Sequence, residues 1–269
     1  MESLISNLDV RIGTSGYDYP EWKGSFYPID LARKDFLGFY SESFNTLEIN
    51  FTYYRQPRAE IFDRMLRRLR RPIDFSVKAY RTLTHDRDAG FLSTVVNEFR
   101  AGLQPLIHAG CLAAVLLEFP SSFHYSTGER LYLARLLDAL EGMPLVVELR
   151  NAEWYSARVI EALRERNVGL CILDAPRLPG LPPVSDLITA DLAYIRFHGR
   201  NASSWWTGDA GTRYEYLYNP EELSAWIPRL GSLASQARKI RVYFNNHRRG
   251  NAAANALDFV RLSISSSFL

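Results

Sequence analysis

Hydrophobic and polar positions follow two different periods along this chain. Short runs with a period of two predict β-strands, and longer runs with apolar residues three or four positions apart predict amphipathic helices. In the segment Thr46–Tyr53, apolar residues occupy one face of a strand and polar residues the other. After Pro57, an apolar stripe runs from Ile61 to Leu69 with helical spacing. Because the two patterns alternate along the chain, the sequence predicts repeated βα units.

The strand and helix patterns give eight strands and seven helices. The predicted strands are Asp9–Thr14, Thr46–Tyr53, Ile73–Ala79, Cys111–Phe119, Pro144–Arg150, Val168–Asp174, Ala193–Gly199 and Lys239–Asn245. The predicted helices are Lys34–Ser43, a helix after Pro57, Leu92–His108, Gly128–Leu140, Ser156–Arg166, a helix from Pro220, and Asn251–Leu262. The segment Ala175–Leu192 is rich in proline, so we expect the sixth βα unit to be degenerate.

These elements predict the fold class α/β, as a single closed TIM-like (β/α)₈ barrel domain spanning residues 1–269. About 250 residues is the usual size of such a barrel. The helix-to-strand connections are short, whereas the strand-to-helix connections are long and rich in aromatic residues. Because barrel enzymes build their sites from strand-to-helix loops, this asymmetry favours a site at the C-terminal mouth. A doubly wound open sheet is the alternative fold.

Composition and charge add few constraints. The chain has 269 residues, 47% hydrophobic and 23% charged, with a formal net charge of +2. This balance does not require a nucleic-acid or membrane partner. Cys111 and Cys171 lie in apolar runs, which is typical of core cysteines in a reducing compartment. Neither a signal-peptide pattern nor a stretch long enough to cross a bilayer is evident, so we expect a cytoplasmic location and no membrane association.

The seventh predicted strand carries charges within an apolar run. Tyr194, Arg196 and His198 share one face, and Ile195 and Phe197 share the other. Because an unpaired charge is costly to bury, Arg196 requires carboxylate partners from other strands.

Polar residues near the C-terminal ends of the predicted strands supply such partners. In a barrel they converge on one axial site: Glu48, Asn50, Lys78, Glu118, Glu148, Arg150, Asp174, Arg196, His198 and Asn245. A structural ion-pair network is one explanation of this set. Such networks stabilise less than apolar packing, and barrel interiors are ordinarily layers of branched apolar residues. The charge density therefore favours a functional site.

Four of these residues are the catalytic candidates: Glu48, Lys78, Glu148 and His198. Beside an arginine, Lys78 would act as a base or Schiff-base nucleophile; beside Glu48 it would stay protonated as an electrostatic clamp, which the excess of carboxylates favours. Glu148 would act as a base while Arg150 holds an oxyanion. His198 is the natural proton shuttle, with a structural histidine as the alternative.

The substrate-binding candidates surround this group. They are Asn50, Arg150, Arg196, Trp205, Asn245 and Arg248. Trp205 belongs to an aromatic loop that resembles a lid, and Arg248 precedes the last helix, where barrels often bind phosphate. A divalent metal held by the carboxylates and His198 is an alternative, but no metal-ligand spacing appears and nearby cations would repel the ion. We therefore expect neither a metal nor a cofactor.

Several motifs identify a family resemblance. They are Gly13–Gly24, Glu48–Pro57, Val77–Ala79 with Thr84 and His85, Glu148–Arg150 with Trp154, Arg196–Gly199, and Phe244–Asn246 with Ala256. Together they resemble the YecE-like proteins, the domain-of-unknown-function-72 family. The resemblance implies a TIM-like barrel and implies no reaction. Tyr17, Asn151 and His247 stand where the family commonly has tryptophan, histidine and aspartate.

Three functional hypotheses follow from these residues. The first is an enzyme that acts by acid–base chemistry on a small anionic substrate, phosphorylated or sugar-like, at the barrel mouth. The second is a non-catalytic barrel that binds a metabolite. The third is a nucleic-acid-binding barrel, suggested by Arg200, Arg213, Arg248 and Arg249 among aromatic residues. The arginines of the second helix, in contrast, favour a solvated outer face.

Overall fold

The computed structural model describes residues 8–87 and 92–266, which form one parallel sheet surrounded by helices. The sheet order is β6-β5-β4-β3-β2-β1-β9-β8-β7. The strands are β1 (Asp9–Ser15), β2 (Thr46–Ile49), β3 (Asp74–Lys78), β4 (Leu112–Phe119), β5 (Leu145–Leu149), β6 (Gly169–Leu170), β7 (Ile172–Asp174), β8 (Leu192–Phe197) and β9 (Lys239–Phe244).

The two ends of this sheet are consecutive parts of one chain segment. β6 pairs with β5, and β7 pairs with β8. Only Cys171 separates them, and its N–H donates to the carbonyl of Val147 on β5 at 2.9 Å. The predicted sixth strand therefore bridges β5 and β8, which curls the sheet into a TIM-like barrel. The predicted fold class is confirmed.

The α-helices of the described residues follow the strands in the order expected of βα units. They are α1 (Phe36–Ser43), α2 (Ala59–Arg68), α3 (Leu92–His108), α4 (Thr127–Ala139), α5 (Ala157–Glu165), α6 (Ala210–Arg213), α7 (Pro220–Ser224), α8 (Ile227–Ala234) and α9 (Asn251–Ser265). No helix of the described residues lies between β7 and β8, which agrees with a degenerate sixth unit. No helix among the described residues combines the length and apolarity needed to cross a membrane.

Most predicted elements differ from the structure by one to three residues at an end, and two differ more. The second strand ends at Ile49, because the chain turns into a 3₁₀ helix at Phe51–Tyr53. The helix predicted from Pro220 is divided into α7 and α8 between Ser224 and Ile227. The early end of β2 turns Asn50 and the tyrosines after it towards the barrel mouth.

The faces of β8 show how the core is arranged. Ile195 and Phe197 belong to the large apolar core outside the strands, where Phe197 stacks on Phe244 with ring centroids 4.4 Å apart. Tyr194 belongs to a smaller apolar cluster inside the barrel and packs against Tyr243 at 5.0 Å. Burial of this apolar surface outside and inside the strands is the main driving force that holds the barrel walls in place. Charged layers lie at the two ends of the interior.

Candidate functional site

Arg196 on β8 is the centre of the charged layer at the C-terminal end of the barrel. Its guanidinium donates to Glu118 Oε2 at 2.9 Å, to Glu148 Oε2 at 2.5 Å and to Glu48 Oε1 at 2.8 Å. Arg196 is only 1% exposed, and the three glutamates are buried as well. One arginine therefore joins carboxylates from β2, β4 and β5, as the charge on the seventh predicted strand required.

Two further cations complete the charge balance of this layer. Glu118 and Glu148 are neighbours in the register of β4 and β5, so two like charges lie side by side. Lys78 Nζ lies 3.0 Å from Glu118 Oε2, and Arg150 Nε donates to Glu148 Oε1 at 2.7 Å. Burial alone would raise the pKa of Glu118, but Arg150 and Lys78 outweigh it and hold that pKa well below its usual range. The cations therefore keep this carboxylate ionised at neutral pH.

Glu148 is held in the same way. Burial would raise its pKa, but Arg196, His198 and Arg150 lower it to well below its ordinary value. A carboxylate with a strongly lowered pKa is a weak base. Glu148 is therefore better suited to holding its cationic neighbours than to removing a proton from a substrate.

His198 lies beneath the aromatic residues at the mouth. Its Nε2 lies 3.2 Å from Glu148 Oε1, and Asn245 Nδ2 lies 3.0 Å from its Nδ1. In this arrangement Nε2–H donates to the carboxylate and Nδ1 accepts from the amide, which describes a neutral imidazole. Burial lowers the pKa of His198, and the Glu148 carboxylate opposes that shift only partly. Tyr214 stacks on the ring at 5.5 Å, so the imidazole is 1% exposed.

A cavity of about 700 Å³ opens above this layer. Four of the predicted catalytic and substrate-binding residues line it: Asn50, Lys78, Arg196 and Asn245. Glu48, Glu148, Arg150 and His198 lie outside that lining and contact it through hydrogen bonds to Arg196, Tyr214 or Asn245. The other lining residues are Gly16, Tyr17, Asp18, Tyr19, Ile49, Phe51, Tyr53, Tyr54, Arg55, Ile61, Arg64, Met65, Arg68, Glu118, Tyr214 and His247.

Two polar atoms at this cavity are buried without a hydrogen-bond partner among the described residues. They are Asn50 Oδ1 and Arg196 Nε. An unsatisfied buried donor or acceptor costs about 1–3 kcal/mol, so native proteins rarely leave one without a role. One of these atoms is an acceptor and the other is a donor.

His247 is the lining residue whose role the sequence interpretation missed. Its Nδ1 lies 3.1 Å from the carbonyl oxygen of Asn245, so Nδ1–H donates there and Nε2 keeps a free lone pair. The ring stacks on Tyr19 at 4.9 Å. Burial lowers the pKa of His247, and the hydrogen bond to Asn245 opposes this only partly, so the imidazole is neutral at pH 7. The sequence did contain a signal for His247: it lies two residues after an asparagine at a strand end, where the family commonly has aspartate.

Asp174 and Trp205 also lie outside the cavity lining. Asp174 does not join the axial cluster: its carboxylate accepts from Arg200, Tyr218 and Trp226 at 2.6–2.8 Å. Trp205 packs edge-on against His198, with ring centroids 6.2 Å apart.

Arg248 belongs to the loop where we expected an anion. Its Nε lies 3.7 Å from Glu215, whose other oxygen contacts Arg249 at 3.1 Å. Arg200, on the neighbouring loop, is paired with Asp174 and Glu222. Arg200, Arg248 and Arg249 therefore already have carboxylate partners.

The carboxylates of the mouth are paired with cationic side chains of the protein. Across residues 8–87 and 92–266, no group of three or more His, Cys, Asp or Glu side chains is arranged to hold a metal ion. Arg196 occupies the space between Glu48, Glu118 and Glu148 that a cation would otherwise take.

Comparison with known proteins identifies relatives over nearly the whole chain. The sequence model of a family described as "Protein of unknown function DUF72" matches residues 11–266. The UPF0759 protein YunF of Bacillus subtilis is 28% identical over 268 residues, covering 94% of each chain. The DUF72 family protein TM1631 of Thermotoga maritima has a crystal structure that superposes with a TM-score of 0.87, at 35% identity, over 94% of this chain and 98% of that one.

A second solved relative shares the fold at lower identity. The DUF72 family protein EF0366 of Enterococcus faecalis superposes with a TM-score of 0.84 at 24% identity, over 94% of each chain. The barrel is therefore shared among proteins whose sequences differ at three positions in four.

Proposed function

Because the chain belongs to the DUF72 family, whose description names no reaction, we propose its function from the chemistry of the barrel mouth. In this proposal the protein is an enzyme that transfers protons within a small anionic substrate, sugar-like or phosphorylated. The single observation that carries it is that a neutral histidine with a free ring nitrogen lines the same cavity as two fixed cations. A general base and an electrostatic stabiliser are the two parts that such a reaction needs.

His247 is the proposed general base. Its Nδ1–H is engaged by the Asn245 carbonyl, so the lone pair is on Nε2, and Tyr19 fixes the plane of the ring. A histidine whose pKa is lowered by burial is unprotonated at pH 7 and available to accept a proton. It would remove a proton from a carbon next to a substrate carbonyl; the C–H electron pair would form a C=C bond, and the π pair of the carbonyl would move onto its oxygen.

Lys78 and Arg196 are the proposed partners of that developing oxyanion. The Lys78 ammonium is fixed by Glu118 and lies 4.4 Å from the centre of the Tyr53 ring. Arg196 has its Nε–H without a protein acceptor among the residues that the structure describes. Cations that are already held in place need no reorganisation when negative charge develops, which is the main source of electrostatic catalysis.

The remaining predicted catalytic residues are proposed to act through these cations. Glu48 and Glu148 hold Arg196, and His198 contacts Glu148 and Asn245. They are positioning residues in this proposal, since none of the three lines the cavity.

Proton exchange with solvent tests the proposal even when the product is unidentified. We would incubate the protein in D₂O with a panel of sugar phosphates and phosphorylated hydroxy ketones and follow the loss of C–H signals by ¹H NMR. For a compound that exchanges, His247→Asn should slow exchange by about 100-fold or more, the usual contribution of a general base. His124→Asn is the matched control, because His124 is 66% exposed and paired with Glu153, and it should exchange normally.

Two results would count against this function. If a panel compound protects the protein from thermal unfolding and is recovered without exchange or turnover, the barrel is a non-catalytic binder. If His247→Asn exchanges as fast as the wild type, His247 is not the base.

A further inference from the structure

The cavity extends from the barrel axis to α2, and its wall there is strongly cationic. Arg64 and Arg68 lie one helical turn apart on α2 and both line the cavity, together with Arg55 from the loop that precedes the helix. Residues at positions i and i+4 share one side of a helix. The buried Phe62 and Met65 fix the helix rotation, and this rotation carries Arg64 and Arg68 to the mouth.

These three arginines differ from most others of the chain in having no carboxylate partner. Arg33, Arg70 and Arg81, for example, each contact an aspartate or glutamate at 2.7–3.0 Å. Among the described residues, no ion pair involves Arg55, Arg64 or Arg68. Three unpaired cations on one wall repel one another, and an anionic ligand removes that repulsion.

The charges elsewhere in the lining do not neutralise this wall. The described lining residues include five cations and two carboxylates. Glu118 is engaged by Lys78 and Arg196, and Asp18 is bound by Arg33 through both of its oxygens, at 2.7 and 3.0 Å. Neither carboxylate is therefore free to pair with the α2 arginines.

We propose that Arg55, Arg64 and Arg68 form a phosphate-binding subsite, so that the ligand of this cavity is a phosphate monoester. Arginine is favoured at such sites because its guanidinium matches phosphate with two parallel hydrogen bonds. The phosphate lies against α2 while the sugar-like part reaches Asn50 and Lys78 at the floor. A cavity of about 700 Å³ has the size of sites that hold a ligand of this kind. The choice of a phosphate ester rests on the proposed function, whereas phosphate binding by the arginines does not.

Phosphate affinity, measured without any reaction, tests the subsite. The full chain would be titrated with inorganic phosphate at low ionic strength, with binding followed by ³¹P NMR. We expect the double variant Arg64→Gln/Arg68→Gln to raise the Kd for phosphate by at least tenfold. Arg67→Gln is the matched control, because Arg67 is exposed on the same helix, as Arg64 and Arg68 are, but does not line the cavity. It should leave the Kd within twofold of the wild-type value.

Separate outcomes distinguish this subsite from the proposed reaction. His247→Asn should bind phosphate normally, so a protein that binds phosphate through Arg64 and Arg68 but exchanges no proton supports the subsite and refutes the reaction. An unchanged Kd in the double variant overturns the subsite. It is also overturned if Arg67→Gln weakens binding as much as the double variant, since that would show a general electrostatic field.

A nucleic-acid surface makes a different prediction from the same variants. A single-stranded oligonucleotide would spread over the helix and engage Arg67 as well as Arg64 and Arg68. Salt-dependent binding of an oligonucleotide that all three substitutions weaken equally, with no detectable binding of inorganic phosphate, would overturn the subsite and favour nucleic acid.

Discussion

Replacement of Arg196 by methionine should destabilise the protein through one particular carboxylate. Glu118 keeps Lys78 and Arg150 as partners in this variant, and Glu148 keeps Arg150 and His198. Among the described residues, the side-chain contact that Glu48 keeps is with the hydroxyl of Tyr194, which donates to Glu48 Oε2 at 2.7 Å. Arg196→Met therefore leaves one fully buried carboxylate without a counter-ion.

The size of the effect follows from that burial. Removing one partner of a buried ion pair costs about 3–5 kcal/mol, because the remaining charge is left uncompensated. We expect this loss in the free energy of unfolding at pH 7, measured by urea unfolding with tryptophan fluorescence. Glu48→Gln in the Arg196→Met background removes the uncompensated charge and keeps a hydrogen-bond acceptor for Tyr194. The double variant should therefore regain about half of the loss or more.

One result would refute this reasoning. If Glu48→Gln further destabilises Arg196→Met, the cost does not come from an uncompensated charge on Glu48.

Three other predictions address the rest of the barrel. The pKa of Glu148 is lowered in the folded state, so the free energy of unfolding of the wild type should fall as pH drops below about 4.3. Glu148→Gln should reduce the dependence of stability on pH by up to about 1.4 kcal/mol per pH unit, measured by urea unfolding from pH 5 to 3. An equal pH dependence in the wild type and the variant would contradict this prediction. Asp174→Asn should cost about 2–4 kcal/mol in the same assay but leave phosphate affinity unchanged, since Asp174 binds Arg200 outside the mouth. Gly13→Ala should lower the free energy of unfolding by about 3 kcal/mol, because a Cβ there would lie 2.1 Å from the carbonyl oxygen of Thr46. Gly128→Ala is the control, since nothing lies within 4 Å of a Cβ at that position. A smaller loss in Gly13→Ala than in Gly128→Ala would contradict this prediction.

The central ion cluster is the part of the site that the sequence predicted best. A strand alternates its side chains regardless of what surrounds it, so the inward face of Arg196 and His198 could be inferred from the local pattern. The cost of burying a charge then required carboxylates, and Glu48, Glu118 and Glu148 are the ones that contact Arg196.

The position of Asp174 depended on the phase of an interrupted strand. Cys171 packs with residues inside the barrel, and the partly buried Leu173 packs against that same cluster. Because neighbouring residues face opposite sides, Asp174 points outward to Arg200. The local pattern did not indicate whether Asp174 faces into or out of the barrel, since the segment is apolar on both faces.

Depth within the barrel was likewise not visible in the sequence. Glu48 and Asn50 are two residues apart on one face of the predicted strand, yet only Asn50 lines the cavity. The tilt of the strands sets which layer each side chain joins, and this tilt depends on the register of the whole sheet. The loops then decide what remains accessible, and the Tyr214 ring stacked over His198 covers it.

By itself, the sequence determined the order of the βα units, the inward face of the charged strand and the need for buried counter-ions, because each follows from periodicity and from the cost of desolvation. Only the tertiary structure decided which polar residues meet a ligand. It brought His247 to the cavity as a neutral base candidate, and it placed the exposed Arg64 and Arg68 in the lining of the same cavity. The reason is physical: accessibility and pairing depend on the closure of the barrel and on loops far apart in the chain, and no local pattern encodes them.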